Sequence, residues 1–241
     1  MSYFIFNGID SREFGILERL PLDIRSERTT QIIDMPYGTP VVYQSQAYKS
    51  QKITVNLGIK DTSAANLSMI NQWLQGYHEL IFSDDLSKHY KAVCNGTLNG
   101  ERIVRTLGKL PITFTVMPFK YDNNSTYEEI ELNPLNETSN IATLSYDGTA
   151  PSEPLFKIYG NGDFNMDIDD GTVFMQFFDI SDYAIVDVEG RKVIDKNGNN
   201  INHKTIIGKG SIGQLQMHDE YRIVIDKTVT KLEINKKRRW L

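Results

Sequence analysis

The chain alternates apolar and polar residues over most of its length, in short runs broken by turn residues. In the first half this pattern predicts strands at Tyr3–Phe6, Gln51–Ile59, Leu80–Ser83, His89–Cys94, Arg102–Thr106 and Leu110–Met117. Period-two alternation is what a sheet with one buried face requires. Asn7-Gly8, Asn95-Gly96 and Asn99-Gly100 read as hairpin turns, since Asn and Gly both tolerate positive φ. One segment has a different period. In residues 61–76 and just beyond, Leu67, Ile70, Trp73 or Leu74, and Tyr77 recur at spacings of three and four, which predicts an amphipathic helix. Thr62 or Ser63 can cap its start and Gly76 can end it. A helix with a single apolar stripe has to lie against a sheet.

The stretch from Thr29 to Ile59 holds two strand-like runs, Thr30–Met35 and Val41–Ser45, around Pro36-Tyr37-Gly38-Thr39-Pro40. A long hairpin with open edges is a liability for a monomer. Two readings stay open: a hairpin folded back on its own domain, or one that reaches a neighbouring subunit.

Between Tyr121 and Pro154 the chain turns polar and carries several Pro and Gly residues. This predicts a linker and two domains, 1–133 and 134–241. Beyond it the pattern is all β: Phe156–Gly160, Asp163–Ile168, Thr172–Phe177, Tyr183–Asp187, Lys192–Asp195, Tyr221–Ile225 and Thr230–Ile234. Many short strands joined by Gly- and Asn-rich turns favour a β-sandwich or jelly roll.

Composition narrows the class. The 241 residues are 40% hydrophobic and 24% charged, with a formal net charge of −5. That is enough apolar content for a core, and the acidity argues against a dedicated nucleic-acid binder. The one cysteine, Cys94, excludes an internal disulfide and a Cys-based zinc cluster. No run is apolar and long enough to span a membrane, and the N-terminus lacks a signal-peptide pattern. The expected setting is therefore reducing and aqueous.

Candidate chemistry is sparse. There is no GxSxG, HExxH or Walker A pattern. Gly208-Lys209-Gly210-Ser211 lacks the glycine spacing of a phosphate loop, and Gly160-Asn161-Gly162 reads as a strand connection. The acidic residues Asp163, Asp167, Asp169 and Asp170 fail a calcium loop, because Ile168 and Phe174 stand where Gly and Glu are required. Their alternation with Phe164, Met166 and Ile168 describes a strand with one solvated acidic face. His78, His89, His203 and His218 do not pair at metal-ligand spacing. The basic run Lys236-Lys237-Arg238-Arg239 reads as a solvated end, with a phosphate contact as the sharper alternative. Trp240 and Leu241 are large apolar residues that should dock. The last strand either closes the second domain or returns to the first. No catalytic residue, cofactor or metal is expected.

Several stretches together resemble one family. FIFNGIDSREFGI (Phe4–Ile16) and LPITFTVMPFKY (Leu110–Tyr121) resemble the opening and the domain-closing strand of distal tail proteins (Dit) of long-tailed phages that infect Gram-positive bacteria. EPLFKIYGNGD (Glu153–Asp163), YAIVDVE (Tyr183–Glu189) and the ending Arg238-Arg239-Trp240-Leu241 resemble later segments of the same family, in the same order. The chain departs from the family at Met217-His218-Asp219-Glu220-Tyr221, where Pro-Gly-Glu-Asn is frequent.

The resemblance implies a mainly β protein. Its N-terminal domain would carry one helix and a long hairpin and form a hexameric ring, and its C-terminal domain would be a galectin-like or jelly-roll sandwich. It implies a virion structural protein and no enzyme: a hub at the tail tip, assembled in the bacterial cytoplasm. Its expected partners are its own copies, the tail tube protein, the tape-measure protein, a tail-associated tip protein and a receptor-binding protein, with DNA passing through the channel. The residues expected to contact a neighbouring subunit are Ile32, Ile33, Tyr37, Val41, Val42, Tyr43 and Tyr48. Those expected to seat the helix are Leu67, Ile70, Trp73 and Leu74. The rival readings are a carbohydrate-binding module, which needs an exposed aromatic beside polar groups, and a glycosidase using paired carboxylates.

Overall fold

The computed structural model describes residues 2–21, 26–96, 100–102, 107–169, 171–217 and 220–241. The chain divides into two compact units, residues 1–123 with 241, and residues 124–240.

The first unit contains strands β1 (Phe4–Phe6), β2 (Ile9–Asp10), β3 (Gly15–Leu17), β4 (Arg28–Ile33), β5 (Val41–Tyr48), β6 (Gln51–Ile59), helix α1 (Ala64–Trp73), then β7 (Tyr77–Phe82), β8 (Lys88–Cys94), β9 (Glu101–Arg102) and β10 (Gly108–Asp122). Its main sheet runs β2-β1-β7-β8-β10-β6-β3, with β9 also on β10. Asn7 (φ 52) and Gly8 (φ 73) both take positive φ in the tight β1–β2 turn, which is why Asn-Gly stands there. The long β10 is the spine. It pairs β6 from Gly108↔Ile59 to Val116↔Gln51 and pairs β8 on its other side, with a register shift between Val116 and Lys120. Pro118 lies at that shift, where a residue without an N–H is tolerated.

Alternation sorts the sheet's faces. Ile53, Val55, Leu57, Leu110, Ile112 and Phe114 are buried, and Thr54, Asn56, Thr113 and Thr115 point the other way. Helix α1 closes over the apolar face with Ile70, Trp73 and Leu74. The Ser63 hydroxyl accepts the Asn66 N–H at 3.3 Å and caps the helix start. The helix ends at Trp73, with Leu74 as its C-cap two residues before Gly76. Gly76 (φ 92) turns the chain into β7, so Tyr77 opens a strand, exposed, instead of extending the helical stripe. Of the strand expected at Arg102–Thr106, residues 103–106 lie outside the described residues, as does Asn99 of its neighbouring turn.

The second unit contains β11 (Glu128–Ile130), β12 (Asn133–Pro134), β13 (Ser139–Leu144), β14 (Leu155–Gly160), β15 (Gly162–Ile168), β16 (Val173–Ile180), β17 (Tyr183–Asp187), β18 (Lys192–Asp195), β19 (Thr205–Lys209), β20 (Tyr221–Asp226), β21 (Val229–Asn235) and β22 (Arg239–Trp240). Five strands form the sheet β11-β21-β14-β17-β18 and six form the sheet β12-β13-β20-β15-β16-β19. Their apolar faces share one core, with Phe156, Ile158, Phe164, Met166, Phe177, Val186, Ile223 and Leu232 at its centre. This is a β-sandwich, so the chain is mainly β with a single α-helix among the described residues, as its periodicity predicts.

The polar stretch after Tyr121 is not a bare linker. It supplies β11, β12 and β13, and β13 pairs β20 from Ser139↔Asp226 to Leu144↔Tyr221. The strand is hard to see because only Ala142 and Leu144 of its six residues are fully buried, and half-buried Ile141 beside Ala142 breaks the alternation.

Candidate functional site

Strands β4 and β5 pair with each other and with no other strand among the described residues. Their register is Arg28↔Tyr48, Ile32↔Val42 and Ile33↔Val41, with an irregularity near the base. A two-stranded ribbon alone is marginal in water, so its base must be fastened. Tyr48 packs edge-on to Phe119 with ring centroids 5.3 Å apart, and the Arg28 guanidinium lies 4.3 Å over the Tyr48 ring and donates to its hydroxyl. The Lys49 N–H donates to Glu27 O at 2.9 Å. Buried Ser26 donates to the Pro118 carbonyl and accepts from Gln51. Ser26 and Phe119 were not legible in sequence, since a lone Ser and a strand-end Phe carry no pattern.

Beyond this base the ribbon projects. Ile32, Val42 and Tyr43 are each more than 60% exposed, Ile33 and Val41 are about half exposed, and Tyr37 at the turn is 97% exposed. From Thr29 to Ala47 the sequence holds one charged residue, Asp34. Native proteins guard open edges with charge, so an uncharged apolar edge is material for a contact. Of the hairpin residues singled out in the sequence, Tyr48 belongs to the base and the other six to the projecting part.

The remaining candidates lie elsewhere. Ile70, Trp73 and Leu74 are core residues under α1, and Leu67 is partly buried beside them. The Trp73 Nε1–H donates to Phe6 O at 2.7 Å. Burial pushes the Cys94 thiol pKa above its ordinary value, which disfavours the reactive thiolate. The acidic residues of β15 hold turns: Asp167 accepts the Gly171 N–H at 2.6 Å and Asp163 the Asp179 N–H at 2.8 Å. Asp170 and His218 lie outside the described residues.

Each residue of the C-terminal basic run faces a carboxylate of its own unit. Lys236 pairs with Glu128 at 3.0 Å, Lys237 with Glu189 at 2.9 Å, and Arg239 with Glu153 at 2.6 Å. Arg238 bridges Asp147 at 2.6 Å and Glu128. The run therefore ties down the end of the sandwich, where Trp240 lies in β22, and Leu241 is 38% exposed. On the outer face of the five-stranded sheet, Lys157 lies 4.2 Å over the Tyr183 ring and 4.8 Å over the Tyr159 ring. The ammonium covers the aromatic faces that a sugar ring would stack on.

Comparison with known proteins bears on the hairpin unit. Residues 23–116, from just before β4 into β10, match the family model of the phage tail protein RIFT-related domain. No curated protein matches the chain in sequence. Among solved structures, the Dit protein of SPP1 superposes with a TM-score of 0.75 at 12% identity, over 97% of each chain. That protein is described as a paradigm of the hub adsorption apparatus in phages infecting Gram-positive bacteria. The chain has the fold of that Dit protein. Both units take part in the likeness, and the match to the tail domain contains the whole projecting hairpin of this Dit-like protein.

Proposed function

We propose that this chain is the distal tail hub of a phage or prophage virion, a ring of six copies joining the tail tube to the tail tip. The observation that supports it is the fastened, nearly uncharged apolar hairpin inside a phage tail domain. Head-to-tail contacts close into a ring when the rotation fits, and an open ribbon edge is suited to strand addition on a neighbour. The ring leaves a channel for the tape-measure protein and DNA. A lining that is neutral or acidic, in keeping with the net charge of −5, lets DNA pass without holding its phosphates. The sandwich unit is left to hold tip and receptor-binding parts. The work is done by interface complementarity and needs no catalytic group or cofactor. Assembly takes place in the host cytoplasm, and the finished part sits at the tail tip.

The test is electron microscopy and sedimentation of the purified protein, alone and mixed with its tail tube protein. The expected particle is a ring of about six copies. A strictly monomeric mass under both conditions, with no ring in the images, refutes the proposal.

A further inference from the structure

A sheet ends in two strands whose outer N–H and C=O groups face no partner, and a chain that is to stay single shortens those strands, charges them or covers them. Among the described residues the sandwich unit does so at three of its four sheet edges. Strand β12 is two residues long and β11 is three. The four-residue β18 is covered by its own chain: the Asp195 N–H donates to Asn199 O at 2.9 Å and the Ile201 N–H to Val193 O at 2.8 Å. The fourth edge, β19, is five residues long and pairs only β16 among the described residues.

The register shows what is missing there. Ile207 stands opposite Met175, and Thr205 opposite Phe177. Opposite residues of an antiparallel pair share a face, and Met175 and Phe177 are fully buried in the core. Ile207 is therefore on the core side of the sheet, yet it is 39% exposed. On the outer side Ile206, opposite Gln176, is exposed as well. A core-side isoleucine left in water means that the apolar face runs one strand beyond the sheet that carries it. The chemistry of the edge selects its occupant. A row of unpaired backbone groups is matched by another extended chain. Charge narrows the choice. From Lys196 to Met217 the chain has three lysines and no Asp or Glu, within a protein of net charge −5. Lys204 is matched by Asp179 at 2.7 Å, whereas Lys209, at the other end of the strand, has no ion pair among the described residues. Two copies of β19 laid antiparallel in register would set Lys209 of each beside Lys204 of the other, with no carboxylate in either strand. The edge thus opposes its own kind, and an acidic strand meets no such repulsion.

We infer that β19 is a docking edge, where an extended, acidic segment of a different protein adds a strand to the six-stranded sheet and covers Ile207. This goes beyond the ring reading, which needs no contact at β19, and it rests on the proposed function only for the role of the sandwich as the part that holds other proteins.

The test is selection of a random-peptide display library on the full chain at low salt, followed by synthesis of the enriched peptides, titration by fluorescence polarisation and hydrogen exchange of the complex. The expected peptides alternate apolar residues with others that include Asp or Glu, and they protect backbone amides at 205–209. Lys209→Glu is expected to raise their dissociation constant at least about fivefold, because an exposed ion pair gives way to repulsion, and Lys209→Ala by less. Ile207→Thr keeps a β-branched strand former, removes apolar cover and weakens binding too. Far-UV circular dichroism and the urea midpoint establish that each variant is folded. Enriched peptides that are basic, that protect another part of the chain, or that bind Lys209→Glu as tightly as the wild type overturn the inference, and so does a library that enriches nothing over a control surface. Sedimentation of the same sample reads the ring separately. A ring that binds no peptide removes this inference and leaves the proposed function, and peptide binding by a chain that forms no ring does the reverse.

Discussion

Trp73 is the side chain on which the first unit's helix and sheet meet. It is 3% exposed and lies between two rings, Phe4 at 5.4 Å and 12° and Phe14 at 4.7 Å and 23°. Its Nε1–H is the partner of the Phe6 carbonyl at 2.7 Å. Trp73→Phe keeps an aromatic ring but deprives a buried carbonyl of its donor, which costs about 1–3 kcal/mol. Trp73→Ala also empties the slot between Phe4 and Phe14. Large-to-small changes of this kind cost about 3–5 kcal/mol, and the two lost stacking pairs place it at the upper end. Urea unfolding followed by far-UV circular dichroism measures both, provided the slope with denaturant is unchanged. Hydrogen exchange read by mass spectrometry assigns the loss to a unit: protection should fall in peptides covering 51–59 and 108–117. A Trp73→Ala cost below about 1 kcal/mol would falsify the account, since burial and packing alone exceed it. So would a loss of protection confined to residues 124–240.

Three further outcomes follow from particular contacts. Burial pushes the Glu128 pKa up, but hydrogen bonds from Lys236 and Arg238 outweigh it and hold it below its ordinary value; at Asp147, Arg238 likewise outweighs burial. A lowered folded pKa gives stability that is present above the unfolded value, about 4, and is lost as pH falls through the folded one. The urea midpoint of the second unit should therefore drop below about pH 4, and Arg238→Ala should lower that unit's stability by about 1 kcal/mol at pH 7 and flatten the acid limb. Gly148→Ala should destabilise the same unit by about 1–3 kcal/mol, because the new Cβ would collide with the Tyr146 hydroxyl and lie 2.6 Å from the Arg239 carbonyl oxygen; thermal melts of the two chains give the comparison. Raising salt from about 0.1 to 1 M should leave hairpin-mediated association intact while weakening the Arg238 clamp, since exposed charge pairs are screened and apolar contacts are not. Sedimentation at the two salt concentrations reads the first effect and urea midpoints the second.

Much of the fold is legible along the chain. Where a strand buries one face fully, as β6 and β10 do, the alternation of Ile53, Val55 and Leu57 with Thr54 and Asn56 is enough to find it. The helix is legible for the same reason, because Ile70, Trp73 and Leu74 repeat at the spacing of a helical stripe. Its end is less so: Tyr77 fits the same spacing, and only the positive φ at Gly76 hands it to a strand. Strands that bury little, such as β13 and the edge strand β19, leave no comparable signal, because burial is what creates the alternation. The hairpin shows the limit from the other side. Its run of Ile32, Ile33, Val41, Val42 and Tyr43 says that these residues are to be covered, and says nothing about where.

The sequence by itself therefore determined the two kinds of period, the turns built on Asn-Gly, and the presence of an apolar ribbon with little charge. These are local properties, fixed by the side chains of residues close in the chain. Tertiary structure decided what depends on partners distant in sequence. It ties the four terminal cations to Glu128, Asp147, Glu153 and Glu189, 48 to 110 positions away, so they hold the sandwich and present no phosphate site. It covers the tyrosines of the outer sheet with Lys157. It also leaves β4 and β5 with no strand beside them among the described residues, which turns an apolar pattern that could have been core into a surface to be filled by another molecule.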